Sequence, residues 1–257
     1  MPVVTIIIPY KNNLNYLFLA LKSVIYQTFK DLKILIIYDD ENKSDLSRIK
    51  EFIKKTKLKK KFPIKILLNK KNLGAGESRN KGIKFSKSKY VAFLDSDDVW
   101  HKDKLKLQLN FMSKNKIPIS HTSYLITDEY GKIVSKRKSK KNLKFQDILN
   151  SCDIGLSTVI VNLKFLKKNN LKFPKIKTKE DYILWLRVLR KIPFIKGLNK
   201  NLTFYRKRRN SLSSSSVLSI INGYLVYRRY MKMGIIESVY RLFILFLNFL
   251  KKRFFND

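Results

Sequence analysis

Cysteine and histidine are nearly absent from this sequence, and their scarcity excludes several kinds of site. Cys152 is the only cysteine, so no internal disulfide bond can form, which favours a reducing compartment such as the cytoplasm. His101 and His121 are the only histidines, too few for a metal site built from imidazole ligands. A metal ion in this chain would therefore bind to carboxylate oxygens.

Long apolar runs are also missing. No run reaches the roughly 18–20 residues that a membrane-spanning helix needs. The N-terminal sequence MPVVTIIIPYKNN has no basic segment before its apolar residues and soon becomes polar. It therefore predicts a first strand and not a signal peptide, so we expect a cytoplasmic protein.

Acidic residues are scarce beside basic ones: the chain has 56 Lys and Arg but 19 Asp and Glu, a formal net charge of +37. Such a charge is typical of proteins that bind anionic lipid surfaces or nucleic acid. A third explanation is an AT-rich coding sequence, because Lys, Asn, Ile and Phe are plentiful while Gly (8) and Pro (6) are few. Between the two partners we favour a membrane surface, and we expect no nucleic-acid partner.

The first 100 residues alternate between strand and helix patterns. Four apolar runs typical of strands alternate with three helical patterns, the strands at Val3–Ile8, Leu32–Tyr38, Ile64–Leu68 and Tyr90–Leu94 and the helices at Leu14–Tyr26, Leu46–Lys55 and Gly76–Phe85. This alternation predicts an α/β fold with right-handed crossovers and a mainly parallel central sheet.

After Trp100 the pattern is more mixed. It predicts helices at Asp103–Lys114, Glu180–Arg190 and from Val217 onward, strands at Ile117–Thr127, Ile133–Ser135 and Leu202–Tyr205, an apolar run at Leu156–Val161, and a mobile basic loop at Arg206–Ser216. We expect residues 1–216 to form one domain, with a nucleotide-binding half (1–100) and an acceptor half (101–216). Residues 217–257 form a helical tail, the segment most expected to be a separate unit.

Three carboxylates follow the fourth strand in the sequence KYVAFLDSDDVW: Asp95, Asp97 and Asp98. At the carboxyl end of a buried strand they would crowd negative charge into the crevice where open α/β sheets bind ligands. A divalent cation with a diphosphate would relieve this repulsion. The alternative is a polar turn in which Asp98 caps the next helix.

Two further segments end or begin elements on the same edge. Asp39 and Asp40 end the second strand, where a carboxylate can accept from the imide N–H of uracil or thymine, or cap the helix near Ser44. Arg79 lies in the segment Asn72–Asn80, which opens a helix and contains two glycines. Its side chain can reach a nucleobase edge or a phosphate.

The helix that begins near Glu180 offers a fourth carboxylate, Asp181. Thr178 and Asp181 form a capping-box pattern, which is one explanation. The other is a general base toward a sugar hydroxyl. Because a helix N-terminus lowers a carboxylate's pKa, that role depends on geometry and on desolvation by bound substrate. We expect Glu180 to point elsewhere on the helix.

Taken in order, six stretches resemble the inverting family-2 glycosyltransferases of GT-A fold, of the type that builds bacterial surface glycans: TIIIPYKNN, ILIIYDDENKSD, NLGAGESRNKGI, YVAFLDSDDVW, KEDYILWL and FYRKRRNSLS. Each stretch is weak alone, but six in the family's order, from residue 3 to about residue 214, are specific. The resemblance implies a GT-A fold, with a Rossmann-like nucleotide-binding half and, in this chain, a C-terminal helical extension.

The resemblance also implies a role for each matched residue. The residues implied to bind the nucleotide sugar are Pro9, Tyr10, Asp39, Asp40, Arg79, Asp95 and Ser96. Of these, Asp40 would contact the nucleobase. Asp97 and Asp98 would bind a divalent metal, Mn²⁺ or Mg²⁺. Asp181 is the catalytic base, and Tyr205 and Arg206 match a segment that flanks the site.

The expected activity is that of a hexosyltransferase-type enzyme. It would move a sugar, most plausibly from a UDP-sugar, to a hydroxyl of a glycan or lipid-linked glycan, as in surface-polysaccharide or lipopolysaccharide assembly. Two other classes stay open. A nucleotidyltransferase would use the same acids for metal and phosphate, and a basic nucleic-acid-binding protein would explain the charge.

The apolar segment Val239–Leu250 predicts the location of the protein. It is too short to span a bilayer and too apolar to face water alone. Basic residues flank it at Arg228, Arg229, Lys251, Lys252 and Arg253. This pattern predicts a peripheral position on the inner face of the cell membrane. The alternative is that the helix packs on the catalytic domain or on a second subunit.

Overall fold

The computed structural model describes residues 1–208 and 216–254. Over these residues ten strands form one sheet in the order β3-β2-β1-β4-β9-β6-β10-β5, with β7 beside β6 and β8 beside β10. The strands are β1 (Val4–Tyr10), β2 (Leu32–Tyr38), β3 (Ile64–Leu68), β4 (Tyr90–Phe93), β5 (Val99–Trp100), β6 (Ile119–Thr127), β7 (Ile133–Arg137), β8 (Asn142–Leu143), β9 (Ile160–Asn162) and β10 (Ile195–Arg206).

Helices cover both faces of this sheet. They are α1 (Leu14–Ile25), α2 (Ser44–Lys55), α3 (Leu58–Lys61), α4 (Ala75–Phe85), α5 (Lys104–Lys114), α6 (Phe145–Asn150), α7 (Leu163–Lys168), α8 (Glu180–Leu189), α9 (Ser216–Leu225) and α10 (Ile235–Phe254). A short 3₁₀ turn occupies Leu156–Thr158, and a π turn at Val226–Tyr230 follows α9.

The first four strands confirm the predicted parallel α/β arrangement. β1 lies between β2 and β4 and runs parallel to both, and β3 runs parallel to β2. β2 and β3 have the predicted bounds. Because the four strands are parallel, the residues after their carboxyl ends meet at one edge of the sheet. The structure therefore brings the segments after Tyr10, Tyr38, Leu68 and Phe93 to the same edge.

The second half of the sheet is mixed. β9 is antiparallel to both β4 and β6, so β6 runs in the same direction as β4, and β10 is parallel to β6. The predicted short strand at Leu202–Tyr205 is wrong in length, since β10 begins at Ile195. Register shifts between Leu198 and Thr203 absorb the poorly strand-forming segment Asn199–Asn201.

Alternation along the strands builds a core on each face of the sheet. In β1, Ile6 and Ile8 face a core shared with α1 and α5, whereas Ile7 faces the opposite core, which α8 dominates. Trp185 of α8 is fully buried in that second core. These two apolar layers hold the carboxyl edge of the sheet and the start of α8 in fixed relation.

The C-terminal helices pack on the second core. Val226, Tyr227 and Met231 are buried in it, and the Tyr227 hydroxyl lies 2.9 Å from the Tyr182 hydroxyl of α8. Both hydroxyls donate to the carbonyl oxygen of Leu149. Most of the predicted loop Arg206–Ser216 lies outside the described residues. Across the described parts of the chain, no helix is both long and apolar enough to cross a bilayer.

Gly82 of α4 sets how closely that helix approaches β1, and we predict that Gly82→Ala destabilises the fold. A Cβ there would lie 2.5 Å from Cγ2 of the fully buried Ile7. Overpacking of this kind costs about 1–3 kcal/mol, partly offset by alanine's better helix propensity. Urea unfolding should therefore show a loss of about 1–2 kcal/mol.

Gly234→Ala is the matched control, because nothing lies within 4 Å of a Cβ at that position. It should leave the unfolding free energy within about 0.5 kcal/mol of wild type. Equal stability of the two variants would contradict the close packing of α4 on β1.

Candidate active site

The site is centred on a buried arginine, Arg79 of α4. Its side chain is 4% exposed. Nη2 donates to Oδ1 of Asp95 at 2.6 Å, and Nη1 donates to Oε1 of Glu180 at 2.6 Å. The guanidinium also lies 5.5 Å from the ring centroid of Phe173. Arg79 therefore joins the acids after β4 to the start of α8.

Glu180 is part of this bridge, which corrects the expectation that it points elsewhere on the helix. Its Cγ approaches Gly76 of α4 so closely that a Cβ there would lie 3.1 Å away. The predicted capping box is also absent: Lys179 is the N-cap residue, in the left-handed conformation and without a side-chain cap bond. The helix thus begins one residue later than a Thr178 cap would require.

Asp181 is half-buried beside this bridge. Desolvation by burial raises its pKa to about 6, and the negative charge of Glu180 adds to that shift. The positive charge of Arg79 and the 2.8 Å bond from its neighbour's backbone N–H at Tyr182 oppose it. The protein itself thus supplies the desolvation, which outweighs the effect of the helix N-terminus. A carboxylate with this pKa can accept a proton near neutral pH.

Asp97 and Asp98 contact the end of β10. Nε of Arg208 lies 2.7 Å from Oδ2 of Asp97. The backbone N–H of Arg206 donates to Oδ1 of Asp98 at 2.9 Å. The alternative in which Asp98 caps a helix is wrong, because β5 follows it and α5 begins only at Lys104.

Burial and mutual repulsion govern the charges of these two acids. Burial raises the pKa of Asp97, and the neighbouring Asp95 raises it further. Burial, followed by the charges of Asp97 and Asp95, raises the pKa of Asp98 well above its ordinary value. A positive charge beyond the nearby arginines would therefore stabilise the ionised cluster.

The carboxylates of Asp97 and Asp98 fit a divalent cation if oxygens of a bound ligand complete its coordination. Among residues 1–208 and 216–254, no hydrogen bond reaches the buried Oδ2 of Asp98. The candidate metal ligands are all carboxylate oxygens, which Mg²⁺ and Mn²⁺ prefer. Within residues 1–208 and 216–254, however, no group of three or more His, Cys, Asp or Glu side chains is arranged to hold a metal ion. Protein oxygens would thus supply only part of the coordination.

The predicted nucleobase residues lie at the neighbouring strand ends. Asp39 is buried and accepts from the backbone N–H groups of Leu73 and Gly74, both at 2.8 Å, and from Nδ2 of Asn69 at 2.7 Å. It therefore shapes the loop that opens α4. Asp40 is half-buried, and its carboxylate accepts a hydrogen bond from the backbone N–H of Asn42.

The other predicted nucleotide residues differ in accessibility. Pro9 is buried in β1 opposite Ile37 of β2. The hydroxyl of the buried Tyr10 donates to Oδ2 of Asp45 at 2.5 Å, and burial raises its pKa. Ser96 is half-buried between Asp95 and Asp97. Asp40 and Ser96 are thus more open to a ligand than Pro9 and Tyr10.

Sequence reasoning missed two contributors, Tyr16 and Arg208. The guanidinium groups of Arg206 and Arg208 lie 4.8 and 5.9 Å from the ring centroid of Tyr16 in α1. Arg206 also donates from Nε to the carbonyl oxygen of Asp97 at 3.1 Å. The basic run after Tyr205 signalled arginines near the site, but nothing in the sequence pairs them with Tyr16.

Residues 5–173 match the family described as Glycosyl transferase family 2. Since this match covers well over half of the chain, the chain belongs to that family, as its motifs indicated.

Curated relatives share substantial identity with the chain. An uncharacterised glycosyltransferase of Rickettsia conorii is 39% identical over 206 residues, which is 79% of this chain and 32% of that protein. The chain thus spans about a third of the length of this relative. The Escherichia coli UDP-Glc:alpha-D-GlcNAc-diphosphoundecaprenol beta-1,3-glucosyltransferase WfaP is 35% identical over 223 residues, covering 86% of this chain and 84% of WfaP.

Solved structures share the fold at low identity. Staphylococcus aureus TarS 1-349 in complex with UDP-GlcNAc aligns with a TM-score of 0.72 at 22% identity, over 93% of this chain and 70% of that one. The mannosyltransferase PcManGT from Pyrobaculum calidifontis, in complex with GDP-Man and Mn²⁺, aligns with a TM-score of 0.66 at 10% identity, over 94% and 70%. These likenesses confirm the predicted GT-A fold.

We predict that Arg79→Gln strongly destabilises the protein. The change leaves the Asp95 and Glu180 carboxylates, 28% and 12% exposed, without their shared cation. Breaking a buried ion pair costs about 3–5 kcal/mol, and partial solvation of Asp95 reduces this to about 2–4 kcal/mol in urea unfolding.

Arg48→Gln on the exposed face of α2 removes the same charge as a control and should change stability by less than about 0.5 kcal/mol. If the two variants unfold at the same urea concentration, Arg79 does not hold the two halves of the site together.

Proposed function

We propose that this chain transfers a sugar from a UDP-sugar to a hydroxyl of a lipid-linked glycan, with inversion at the anomeric carbon. The observation that carries the proposal is the bridge from Asp95 through Arg79 to Glu180, because it places the acids after β4 beside the helix that presents Asp181. A donor site and a base toward an acceptor thus share one charged cluster.

The donor binds at the carboxyl edge of the parallel strands. Asp40, open at the end of β2, accepts from the imide N–H of the nucleobase, while Asp39 holds the loop at Leu73 and Gly74. Asp95 and Ser96 lie where the ribose and the diphosphate enter. The name of the relative WfaP, which uses UDP-Glc, supports a UDP-sugar.

The acceptor approaches from the side of α8. Two relatives support a lipid-linked acceptor, since WfaP and the E. coli protein WfgD, 32% identical over 214 residues, are both named as acting on alpha-D-GlcNAc-diphosphoundecaprenol. A third, the TuaG protein of Bacillus subtilis, is named as a putative teichuronic acid glycosyltransferase. Surface-polysaccharide assembly at the cytoplasmic face of the membrane is the setting that fits such an acceptor.

The reaction is a single displacement. Asp181 accepts the proton of the acceptor hydroxyl as its oxygen forms a bond to the anomeric carbon, and the bond from that carbon to the diphosphate oxygen breaks. UDP leaves with the electron pair of the broken bond. A divalent cation at Asp97 and Asp98, when bound, would neutralise charge on the leaving diphosphate.

A transfer assay tests this function. UDP-, GDP- and dTDP-sugars are supplied in turn with a diphosphoundecaprenol-linked GlcNAc acceptor, and the lipid product is weighed by mass spectrometry. We expect a gain of one sugar with release of UDP. Release of sugar 1-phosphate with transfer of the UMP group would instead support a nucleotidyltransferase, and no lipid product with any donor would overturn the proposal.

We predict that Asp181→Asn retains UDP binding but loses transfer by roughly 10²–10⁴-fold, the usual contribution of a general base. Because the pKa of Asp181 is raised to about 6, the wild-type kcat/KM should fall as the pH drops below that value and the carboxylate becomes protonated.

Glu180→Gln is the matched test of this assignment. Removing the negative neighbour that raises the pKa of Asp181 should move the acid limb of the kcat/KM profile to lower pH. An unshifted limb would contradict the assignment of that limb to Asp181, and near-normal turnover of Asp181→Asn would leave Asp181 with no catalytic role.

We predict that UDP binding depends on a divalent cation through Asp97. In calorimetry, wild type should bind UDP more tightly with Mn²⁺ than with EDTA, and Asp97→Asn should lose this difference. Asp31→Asn, an exposed site outside the cluster, should keep it. Equal binding of UDP by wild type in Mn²⁺ and in EDTA would count against a metal at this site.

A further inference from the structure

The last helix, α10, exposes its apolar side chains. Ile236 is 87% exposed, Phe243 57% and Phe246 47%. With Val239, Tyr240 and Leu247 they recur at spacings of three and four residues, so they form one stripe along the helix. From Ile236 to Leu247 the helix rises about 16 Å at 1.5 Å per residue. We call this set the outer stripe.

The opposite face of α10 combines polar and apolar side chains. Ser238 is fully buried and donates to the carbonyl oxygen of Gly234 at 2.7 Å. Arg241 donates from Nη1 to Oδ1 of Asn150 at 3.0 Å, and Asn248 donates to the carbonyl oxygen of Asn150 at 3.0 Å. Leu242 and Leu245 complete this inner face.

This arrangement differs from that of a helix that only covers a soluble domain, because the larger apolar stripe of α10 faces outward. Such a helix turns its apolar stripe to the core and its polar side chains to water. Here the surface on which α10 packs is partly polar, because Asn150 of α6 bonds to Arg241 and Asn248. Rotating α10 to bury the outer stripe would break these bonds. The phenylalanines of the outer stripe therefore stay exposed. A continuous apolar stripe of this size marks an interaction surface.

Neighbouring residues indicate what covers the outer stripe. Ile220 and Ile221 of α9 are also half-exposed, and basic side chains at Arg228, Arg229, Lys232 and Lys251 are exposed along the same C-terminal segment. Aromatic and aliphatic side chains beside Lys and Arg are typical of helices that lie in the interface of an anionic bilayer.

We propose that α9 and α10 form a surface that binds anionic lipid, with the outer stripe inserted among the acyl chains and the neighbouring Lys and Arg at the headgroups. The proposal rests on the proposed function only for its purpose, which is to bring a lipid-linked acceptor to the site. A second copy of the chain is the less favourable occupant, because each copy carries a net charge of +37 and two copies repel.

The same helices touch the start of α8. Nδ2 of Asn222 in α9 donates to Oγ1 of Thr178 at 2.8 Å, and Gly223 packs against Leu242 of α10. Thr178 lies three residues before Asp181. A bilayer under α9 and α10 would therefore lie one helix layer from the proposed base.

Vesicle cosedimentation of the full chain tests this surface. The wild-type protein should sediment with vesicles of phosphatidylglycerol and phosphatidylethanolamine, less so as salt rises, and weakly with phosphatidylcholine alone. In Phe243→Ser/Phe246→Ser, loss of two inserted rings should lower the partition constant by roughly 10-fold to 100-fold. Point changes are needed because deleting α9 and α10 would also remove the buried Val226, Tyr227 and Met231.

The matched control is Tyr26→Ser/Phe85→Ser, which removes two other exposed aromatic rings, 71% and 45% exposed, far from α10 in the chain. It should sediment like wild type, and both double variants should keep the wild-type circular dichroism and UDP binding. Unchanged sedimentation of Phe243→Ser/Phe246→Ser would mean that charge alone attracts the protein, and would overturn the proposal.

Light scattering tests whether a second copy of the chain, and not lipid, covers the outer stripe. A wild-type dimer without vesicles that Phe243→Ser/Phe246→Ser converts to a monomer would assign the outer stripe to a second copy, and would overturn the lipid proposal. None of these measurements uses a sugar donor. Vesicle binding without glycosyl transfer would thus leave this surface standing while the proposed function fails.

Discussion

The guanidinium of Arg79 bonds to two carboxylates that come from distant parts of the chain, Asp95 after β4 and Glu180 at the start of α8. A buried guanidinium without anions is very costly, so the fold has to bring both partners to it. That constraint fixes the distance between the carboxyl edge of the parallel strands and the helix that carries Asp181. It also places a negative neighbour beside Asp181 and helps to keep its pKa near neutrality.

Excess negative charge is the second constraint on the site. In a chain with a net charge of +37, the acids Asp95, Asp97 and Asp98 gather at one strand end, and two of them have raised pKa values. Arg208 compensates part of this charge through its ion pair with Asp97, and the backbone N–H of Arg206 donates to Asp98. Burial and the charges of Asp97 and Asp95 nevertheless raise the pKa of Asp98, so compensation is incomplete. This imbalance suits a site that takes a cation together with a diphosphate.

Much of the fold of residues 1–100 could be predicted, because the strands there are continuous apolar runs bounded by polar residues. β2 and β3 have their predicted bounds, and the acids after β2 and β4 meet at one edge as parallel topology requires. The length of β10 could not be predicted, since Asn199, Lys200 and Asn201 are poor strand formers, and the register shifts of β10 against β6 accommodate them.

Two other features depend on tertiary contacts that no local pattern reveals. The direction of Glu180 follows from Arg79 needing a second anion. The apolar character of α10 was evident in the sequence, but its orientation follows from the hydrogen bonds to Asn150. Local sequence therefore predicted the positions of strands and helices better than it predicted which way individual side chains point.

The configuration of the newly formed glycosidic bond tests the central claim, that Asp181 drives a single displacement at the anomeric carbon. Proton NMR of the product made from an α-linked UDP-sugar gives this configuration from the coupling constant of the anomeric proton. The account predicts a β-linked product, because one displacement inverts the carbon. An α-linked product would require two displacements or a front-face reaction, and would contradict the assignment of Asp181 as the base.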